Sequence, residues 1–398
     1  MRHLHRRAGL YLHGGDQRRA GGGRGAPVAR PCRGGARRRP PRRDETMTPR
    51  LLITLDSMRF ENTGLHTFGR SLGQELVRQG AGAFDMSAYT YPSQQGALGE
   101  QVSHVGHRRY HRWYFPRGGD FDVIHFADQY CRFGPDRVRG RTVMTVHDLN
   151  QVHEQPPGSR KLARHLRRMA RKIAGVDRVV AISEFVKADI LRFFPEARDK
   201  ISVVHNGADR SFAPAGHQPR FVPPGRFLFA VGMVCPKKNF HVLVPLLCGT
   251  DYTLVIAGVI KHEYRQKILD EAARLGVAGQ VAITGPVSQH DKDWYYAHCE
   301  AFLFPSLAEG FGLPALEAMH HGRPVFLSRL TSLPEVGGDA ACYFDHFDPE
   351  HMREVFAAGL ARFAAGDGAQ RARAHAMGFT WEKAALAYLQ IYRDCLAG

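Results

Sequence analysis

Two glutamates, Glu309 and Glu317, flank a glycine-rich segment that follows an apolar run, and this spacing suits a sugar-phosphate ligand. The segment reads SLAEGFGLPALEAM and covers residues 306–319. Gly310 and Gly312 allow the backbone to approach a ligand closely, and amide groups at the start of a helix favour a phosphate. Carboxylates on either side can hold sugar hydroxyls through charge-assisted hydrogen bonds. The alternative is a capped surface helix whose early acids interact with the helix dipole.

A second segment, VGMVCPKKNF at 231–240, offers positive charge to a phosphate. It follows the apolar strand FLFA, and Gly232 lies at the strand end. Lys237 and Lys238 would act as point charges on a diphosphate. Taken alone, such a pair of lysines belongs to a solvated turn more often than to a binding site.

His147 lies in TVHDL, at the end of a predicted parallel strand, with Asp148 next to it. A His–Asp pair at such a position fits a general base, a metal ligand or a structural hydrogen bond. The sequence leaves these three alternatives open.

Two D-x-D patterns could suggest a metal site, but each has an ordinary interpretation. Asp120 and Asp122 precede the strand VIHF, and Asp291 and Asp293 are predicted to lie in a polar loop before WYYAHC. No further carboxylate cluster completes a divalent site, so metal-independent chemistry is expected. The neighbouring histidines at 320–321 are predicted on the surface of a helix.

Strands and helices alternate from Leu51 onward, which predicts two doubly wound α/β domains with parallel sheets. Pro314 fits the first position of the helix that follows the glycine-rich segment. Ligands bind beyond the carboxyl ends of strands in such sheets, so two facing domains would form one cleft. The predicted parts are an N-terminal domain at 47–213, a linker at 214–225, a C-terminal domain at 226–378 and a final helix at 379–398, whose apolar face would include Ala384, Leu386, Leu389, Ile391 and Tyr392.

The composition indicates a globular protein with an unusual beginning. The chain has 398 residues, 43% hydrophobic and 23% charged, and no apolar run long enough for a transmembrane helix. Its seven cysteines are scattered, which favours reduced thiols in the cytoplasm. Of the net charge of +17, residues 1–46 carry +10 through 13 arginines. This Arg/Gly/Pro-rich segment is predicted to be disordered, with Met47 as the expected initiator; an RNA-binding or lipid-binding arm is the alternative.

With these residues in place, the sequence resembles the retaining glycosyltransferases of family four, the group 1 glycosyl transferases with the GT-B fold. The resemblance covers roughly Leu51 to Leu396. It implies that Glu309 contacts the transferred sugar and Glu317 the ribose of the nucleotide. It also implies that the final helix crosses back to the N-terminal domain. The backbone of four residues would line the sugar and diphosphate: Gly310, Phe311, Gly312 and Leu313.

The resemblance assigns further residues. The family pattern Gly-x-x-x-x-Arg-Lys-Asn matches Gly232 to Asn239, with Lys237 in place of the usual arginine and Lys238 as the diphosphate-binding lysine. His147 would lie at the transferred sugar. The loop at 59–68 resembles the family's N-terminal glycine loop, with Gly64 on the acceptor side.

The implied function is transfer of a hexose from a GDP- or UDP-sugar to an acceptor hydroxyl with retention of configuration, without metal or cofactor. The acceptor would be a saccharide or lipid-linked saccharide in lipopolysaccharide, capsule or exopolysaccharide synthesis. The expected location is the cytoplasm, with peripheral contact of the basic helix at 160–172 to an anionic membrane; no nucleic acid is expected as a partner. The alternatives are an epimerase or phosphorylase of the same fold, and a non-catalytic nucleic-acid-binding protein.

Overall fold

The computed structural model describes residues 47–60 and 63–398. The predicted disordered segment at 1–46 lies outside the described residues, as do two residues of the loop at 59–68. Within the described part of the chain, no helix is both long and apolar enough to cross a membrane.

The described residues form two fully parallel sheets. The first has the strand order β3-β2-β1-β4-β5-β6-β7 and the second β10-β9-β8-β11-β12-β13. The strands are β1 Arg50–Thr54, β2 Asp85–Thr90, β3 Ser103–Gly106, β4 Val123–Phe126, β5 Arg141–Val146, β6 Arg178–Ala181, β7 Ile201–Val203, β8 Phe227–Val231, β9 Thr253–Ala257, β10 Val281–Gly285, β11 Ala301–Phe304, β12 Val325–Ser328 and β13 Cys342–Phe344.

Helices connect the strands, as parallel pairing requires. The α-helices are α1 Gly64–Gln79, α2 Asn150–Glu154, α3 Arg160–Gly175, α4 Glu184–Phe193, α5 His262–Arg274, α6 Gln289–His298, α7 Leu313–His320, α8 Leu333–Gly337, α9 Pro349–Ala364, α10 Gly368–Ala376 and α11 Trp381–Ala397. The predicted fold class, with two doubly wound sheets, is therefore confirmed.

In both sheets the chain order reverses next to the first strand of the domain. The reversal lies between β1 and β4 in the first sheet and between β8 and β11 in the second. Segments leaving the carboxyl ends of these strands diverge, which opens the crevice where ligands bind in such folds. Lys238 follows β8 and Glu309 follows β11, so both lie at the reversal of the second sheet.

The final helix, α11, returns to the first sheet and is fixed there by buried polar contacts. The hydroxyl of Tyr388 lies 2.7 Å from Oγ1 of Thr145, and the hydroxyl of Tyr392 lies 2.7 Å from Nδ1 of His125. Because all four side chains are buried, these hydrogen bonds fix the helix position as well as satisfying the polar groups. Leu386 was expected on the apolar face, but it is 48% exposed.

The domain boundaries stay predictions, although they fall outside the regular elements. Residues 213, 225 and 378 all lie between helices and strands. Strand β7 ends at Val203 and strand β8 begins at Phe227, so the predicted linker lies between the two sheets along the chain.

Candidate functional site

Lys238 and Glu309 form an ion pair at the reversal point of the second sheet. Nζ of Lys238 donates to Oε1 of Glu309 across 2.5 Å, and each side chain is 13% exposed. The ammonium group also lies 4.4 Å from the ring centre of Phe304, which adds a cation–π contact. A Cβ on Gly232 would come within 3.0 Å of the Lys238 side chain. Gly232, at φ +144°, therefore leaves room for the lysine to reach the glutamate.

The segment carrying Glu309 is held by hydroxyl groups on the segment that follows β12. The amide of Glu309 donates to Oγ1 of Thr331 at 3.0 Å. The hydroxyl of Ser332 is shared between the carbonyls of Glu309 and Phe311, at 3.0 and 2.9 Å. Thr331 has φ +56°, a left-handed conformation that costs a β-branched residue free energy. In this conformation Thr331 accepts the hydrogen bond from Glu309 and so helps to fix the path of the glycine-rich segment.

Gly310 brings the glycine-rich segment against the first domain. A Cβ at this position would lie 1.9 Å from the carbonyl oxygen of His147, so no larger residue fits without movement. The hydroxyl of Ser183 donates to the carbonyl of Gly310 at 2.8 Å and accepts from the amide of Val186 at 3.1 Å. Ser183 therefore caps helix α4 and also joins the two domains.

His147 is buried beside this junction. Its Nε2 donates to the carbonyl of Ala127 at 2.8 Å, and its ring meets Phe68 of helix α1 edge-on at 4.4 Å. Since a carbonyl can only accept, the proton lies on Nε2 and Nδ1 is the basic atom of the neutral ring. Burial lowers the pKa of His147. The hydrogen bond to the Ala127 carbonyl and the nearby charge of Asp128 act in the opposite direction.

Helix α7 begins directly after the glycines. Its N-cap is Gly312, at φ +115°, and Leu313 is the first helical residue. Pro314 therefore takes the second position, one later than predicted. The first amides of a helix have no acceptor within the helix, so this end can bind an anion. The Phe311 side chain turns away from solvent and packs near Phe379, with ring centres 6.0 Å apart.

Glu317 lies on helix α7 with partners of its own. Lys292 donates to Oε1 at 3.0 Å and Tyr296 donates to Oε2 at 2.8 Å, both from helix α6. Burial and then the charge of Glu317 raise the pKa of Tyr296 well above its ordinary value, so its hydroxyl remains a neutral donor. Glu309 and Glu317 share no partner in the part of the chain that the structure describes, and a bound ribose would compete with Lys292 and Tyr296.

Lys237 and Gly64 occupy different surroundings from Lys238. The Nζ of Lys237 lies 3.6 Å from Oε1 of Glu154 on helix α2, so it reaches toward the first domain. Gly64 is the first residue of helix α1, and a Cβ there would meet no atom within 4 Å. Gly64 is related to the site only through helix α1, which starts at Gly64 and brings Phe68 into contact with His147.

The aspartates of the two D-x-D patterns make structural contacts within the fold. Asp122 accepts from the amide of Arg50 at 2.8 Å, and Asp120 pairs with Arg117. The prediction that Asp291 and Asp293 lie in a loop is wrong, because both are in helix α6, where Asp291 completes a capping box with Ser288. A Ser followed by Gln-His-Asp could have indicated this helix start.

The prediction of surface positions for His320 and His321 is also wrong. They are 6% and 8% exposed, because helix α7 is covered on this side as well. The ring of His321 stacks on Tyr296 with centres 5.8 Å apart, and burial lowers its pKa to about 4. Among the described residues, no group of three or more His, Cys, Asp or Glu is arranged to hold a metal ion. Metal independence remains a prediction.

Several residues of the site were not found from the sequence. Thr331 and Ser332 hold the glycine-rich segment, Lys292 and Tyr296 hold Glu317, and Glu154 holds Lys237. The spacing of Lys292 and Tyr296, four residues apart, would place both on one helix face, but only the fold shows what they face.

Comparisons with known proteins agree with this architecture. The family profile "Glycosyl transferases group 1" matches residues 217–374, and the profile "Glycosyltransferase Family 4" matches residues 67–212. The serotype-specific mannosyltransferase WbdA of Escherichia coli is 28% identical over 252 residues, which cover 59% of this chain and 31% of the relative. The chain thus spans about a third of the length of this relative.

Two further similarities extend over more of the molecule. The O-antigen chain mannosyltransferase B of Escherichia coli is 27% identical over 277 residues, covering 65% of this chain and 71% of the relative. The structure of sucrose-phosphate synthase from Thermosynechococcus elongatus superposes with a TM-score of 0.71 at 18% identity, covering 88% of this chain and all of that one. The chain belongs to the group 1 glycosyl transferases of glycosyltransferase family 4 and has the GT-B fold.

Proposed function

We propose that this protein transfers a hexose from a nucleoside diphosphate sugar to an acceptor hydroxyl, with retention of configuration. The observation that carries the proposal is the cluster at the reversal of the second sheet. Lys238 pairs with Glu309 at 2.5 Å, immediately before the start of helix α7. A lysine, free helix amides and a carboxylate suit the diphosphate and the sugar of one ligand.

In the proposed reaction, the bond between the sugar and the distal phosphate breaks, and negative charge develops on that phosphate. Lys238 and the amides at 310–313 stabilise this charge. Glu309 orients the sugar through its hydroxyls, and the departing phosphate accepts the proton of the attacking hydroxyl on the same face. Glu317 binds the ribose hydroxyls of the nucleotide.

Lys237 has a secondary role in this proposal. Its ammonium group adds positive charge near the diphosphate, and Glu154, 3.6 Å away, offsets part of that charge. His147 lies against the glycine-rich segment and would contact the sugar from the side of the first domain. No residue is assigned to a metal ion or cofactor.

The curated relatives support a hexose donor, since two of them carry the name mannosyltransferase. We propose a surface polysaccharide or its lipid-linked precursor as the acceptor, reached at the cytoplasmic face of a membrane. Supporting this, helix α3 exposes six cationic side chains that could approach anionic lipid: Arg160, Lys161, Arg164, Arg167, Arg168 and Arg171.

A donor panel tests the proposal. Thermal stabilisation and nucleotide release would be measured with GDP-mannose, UDP-glucose and other nucleotide sugars, with and without EDTA. We expect one donor to raise the melting temperature and to be turned over in EDTA. Absence of stabilisation and turnover with all donors would contradict the proposed function, and activity restored only by manganese would contradict metal independence.

A further inference from the structure

Four polar side chains lie at the carboxyl ends of adjacent strands of the first sheet. Asp56 and Asp128 follow β1 and β4, the strands between which the chain order reverses. Thr90 ends β2, and His107 follows β3. All four residues are at most 8% exposed, and Asp128 is 1% exposed. Each has one polar atom without a hydrogen-bond partner among the described residues: Asp56 Oδ1, Asp128 Oδ2, Thr90 Oγ1 and His107 Nε2.

The two carboxyl groups are neighbours with fixed orientations. Thr54 lies opposite Phe126 in the sheet, so Asp56 and Asp128 follow at matching positions. Oδ2 of Asp56 accepts from the amide of Arg132 at 3.3 Å, and Oδ1 of Asp128 accepts from the amide of Tyr130 at 2.5 Å. Backbone donors thus hold one oxygen of each group, and the other oxygen is buried without a hydrogen-bond partner among the described residues.

Within the described ranges, no cationic side chain forms an ion pair with Asp56 or Asp128. The nearby Lys172 donates to the carbonyls of Gln129 and Cys131, at 2.8 and 3.3 Å. Burial and then the charge of Asp128 raise the pKa of Asp56 to about 6, while the Cys131 thiol and the Arg132 amide act in the opposite direction. A buried carboxyl with an unpaired oxygen is costly, and such groups are concentrated at functional sites.

His107 adds a neutral polar group. Burial, followed by the charges of Arg132 and Arg59, lowers its pKa to about 4, so the ring is neutral near pH 7. It stacks on Tyr91 with ring centres 4.0 Å apart. Two carboxyl groups, a hydroxyl and a neutral imidazole suit the hydroxyls of a neutral polyol better than an anion.

The carboxyl pair is connected to the proposed donor site through His147. Nε2 of His147 donates to the carbonyl of Ala127, the residue before Asp128. The carbonyl oxygen of the same histidine lies against Gly310. His147 therefore contacts both the strand end that carries Asp128 and the segment that carries Glu309.

We propose that Asp56 and Asp128 bind the acceptor by accepting hydrogen bonds from hydroxyl groups of a neutral saccharide. The inference rests on the proposed glycosyl transfer and names residues for its second substrate. In this proposal Thr90 and His107 belong to the same polar cluster, and His147 contacts both the strand end that carries Asp128 and the glycine-rich segment.

The test measures how nucleotide release from the donor selected by the panel depends on simple saccharides, using the full-length chain. The probes are the methyl glycosides of mannose, glucose, galactose and rhamnose. Asp128→Asn and Asp56→Asn remove one charge each with little change in shape, and circular dichroism verifies folding; if one variant fails to fold, the other decides. Asp120→Asn is the matched control, because Asp120 is 42% exposed and pairs with Arg117.

We expect the acceptor-dependent kcat/KM to fall roughly 10- to 100-fold in the Asp128 and Asp56 variants, the effect of losing a hydrogen bond to a charged group. Donor affinity should change by less than about threefold, and the control should behave as wild type. Unchanged acceptor dependence, a parallel loss of donor affinity, or no acceleration of the wild type by any probe would overturn the inference. Failure of the proposed function itself would look different, since no donor would release nucleotide.

Discussion

At the scale of single residues, the site depends on charges that already have partners. Lys238 and Glu309 neutralise each other across 2.5 Å while both are largely buried. A diphosphate arriving beside Lys238 would compete for the ammonium group and free one oxygen of Glu309 for a sugar hydroxyl. Such an exchange favours a ligand that carries both an anion and a hydroxyl, because removing only one partner of a buried pair is costly.

Substitutions of Glu309 and Glu317 should have different effects on turnover and on nucleotide binding. Glu309→Gln is expected to lower kcat roughly 100-fold or more with a smaller change in nucleotide affinity, because its contact with the sugar is needed during transfer. Glu317→Gln is expected mainly to weaken nucleotide binding. Steady-state kinetics and titration with the free nucleoside diphosphate separate the two effects. Equal kinetics close to wild type in both variants would contradict the assignment.

The Asp56 carboxyl should make stability depend on pH. Its pKa rises from 3.8 to about 6 on folding, through burial and the charge of Asp128, with Cys131, Arg132 and Lys172 nearby. Between these two pKa values the folded state therefore binds more protons than the unfolded state. The contribution of Asp56 to the free energy of unfolding is largest well below pH 3.8 and is lost as the pH rises through 6.

Urea denaturation across this range should show the effect by comparison with Asp56→Asn. The stability of the wild type relative to the variant should fall by roughly 2 kcal/mol between pH 4 and pH 7. A relative stability that stays constant with pH would show that Asp56 titrates normally.

At the scale of elements, the hydrophobic pattern predicts the longest helices well. Helices α3 and α11 have the expected bounds within a few residues, since an apolar face at helical spacing is a local property. Strands β2 and β3 were not predicted, because DMSAYT and SHVG are short and partly polar. The run at Phe240–Leu247 forms a 3-10 helix that contains Pro245. Burial of His320 and His321 also depends on neighbouring helices that the sequence does not locate.

Helix α4 contributes to the site through its cap. Ser183→Ala removes the donor to the Gly310 carbonyl and the acceptor for the Val186 amide. We expect a loss of about 1–2 kcal/mol in stability and a lower affinity for the donor, because the glycine-rich segment loses a support. Ser159→Ala is the control, since Ser159 caps helix α3 by the same contact, away from Gly310. Equal donor affinity in both variants would show that Ser183 acts only as a cap.

At the scale of the whole molecule, the two domains are joined by polar contacts across the cleft. Glu335 of helix α8 accepts from the amides of Glu184 and Phe185 at 2.8 and 3.2 Å and bonds Nε2 of His205 at 2.6 Å. Burial alone would raise the pKa of Glu335, but these hydrogen bonds outweigh it and lower the pKa. The contact therefore stabilises the joined domains above pH 4.5 and weakens as the pH falls through the lowered pKa.

Glu335→Gln tests this contact between the domains. We expect a loss of about 1–2 kcal/mol in the free energy of unfolding near pH 7, which shrinks in acid as the wild-type carboxylate is protonated. Glu271→Gln is the control, because Glu271 pairs with Arg274 on its own helix. A loss that is independent of pH, or equal in both variants, would show that the charge of Glu335 does not join the domains.

The sequence predicts the residue types of the candidate site better than their partners. Glycines, lysines and glutamates follow strand ends in recognisable patterns, so Gly232, Lys238 and Glu309 could be found locally. Their supports come from distant parts of the chain: Ser183 lies 127 residues before Gly310, and Thr331 lies 22 residues after Glu309. Such contacts depend on the packing of two domains, which periodicity does not determine.

A crystal structure with the nucleotide sugar selected by the panel would show where the donor binds. We expect the diphosphate at the start of helix α7, with Lys238 on a phosphate oxygen, Glu309 on a sugar hydroxyl and Glu317 on the ribose. A donor bound away from helix α7, with the Lys238–Glu309 ion pair intact, would refute the proposed donor site.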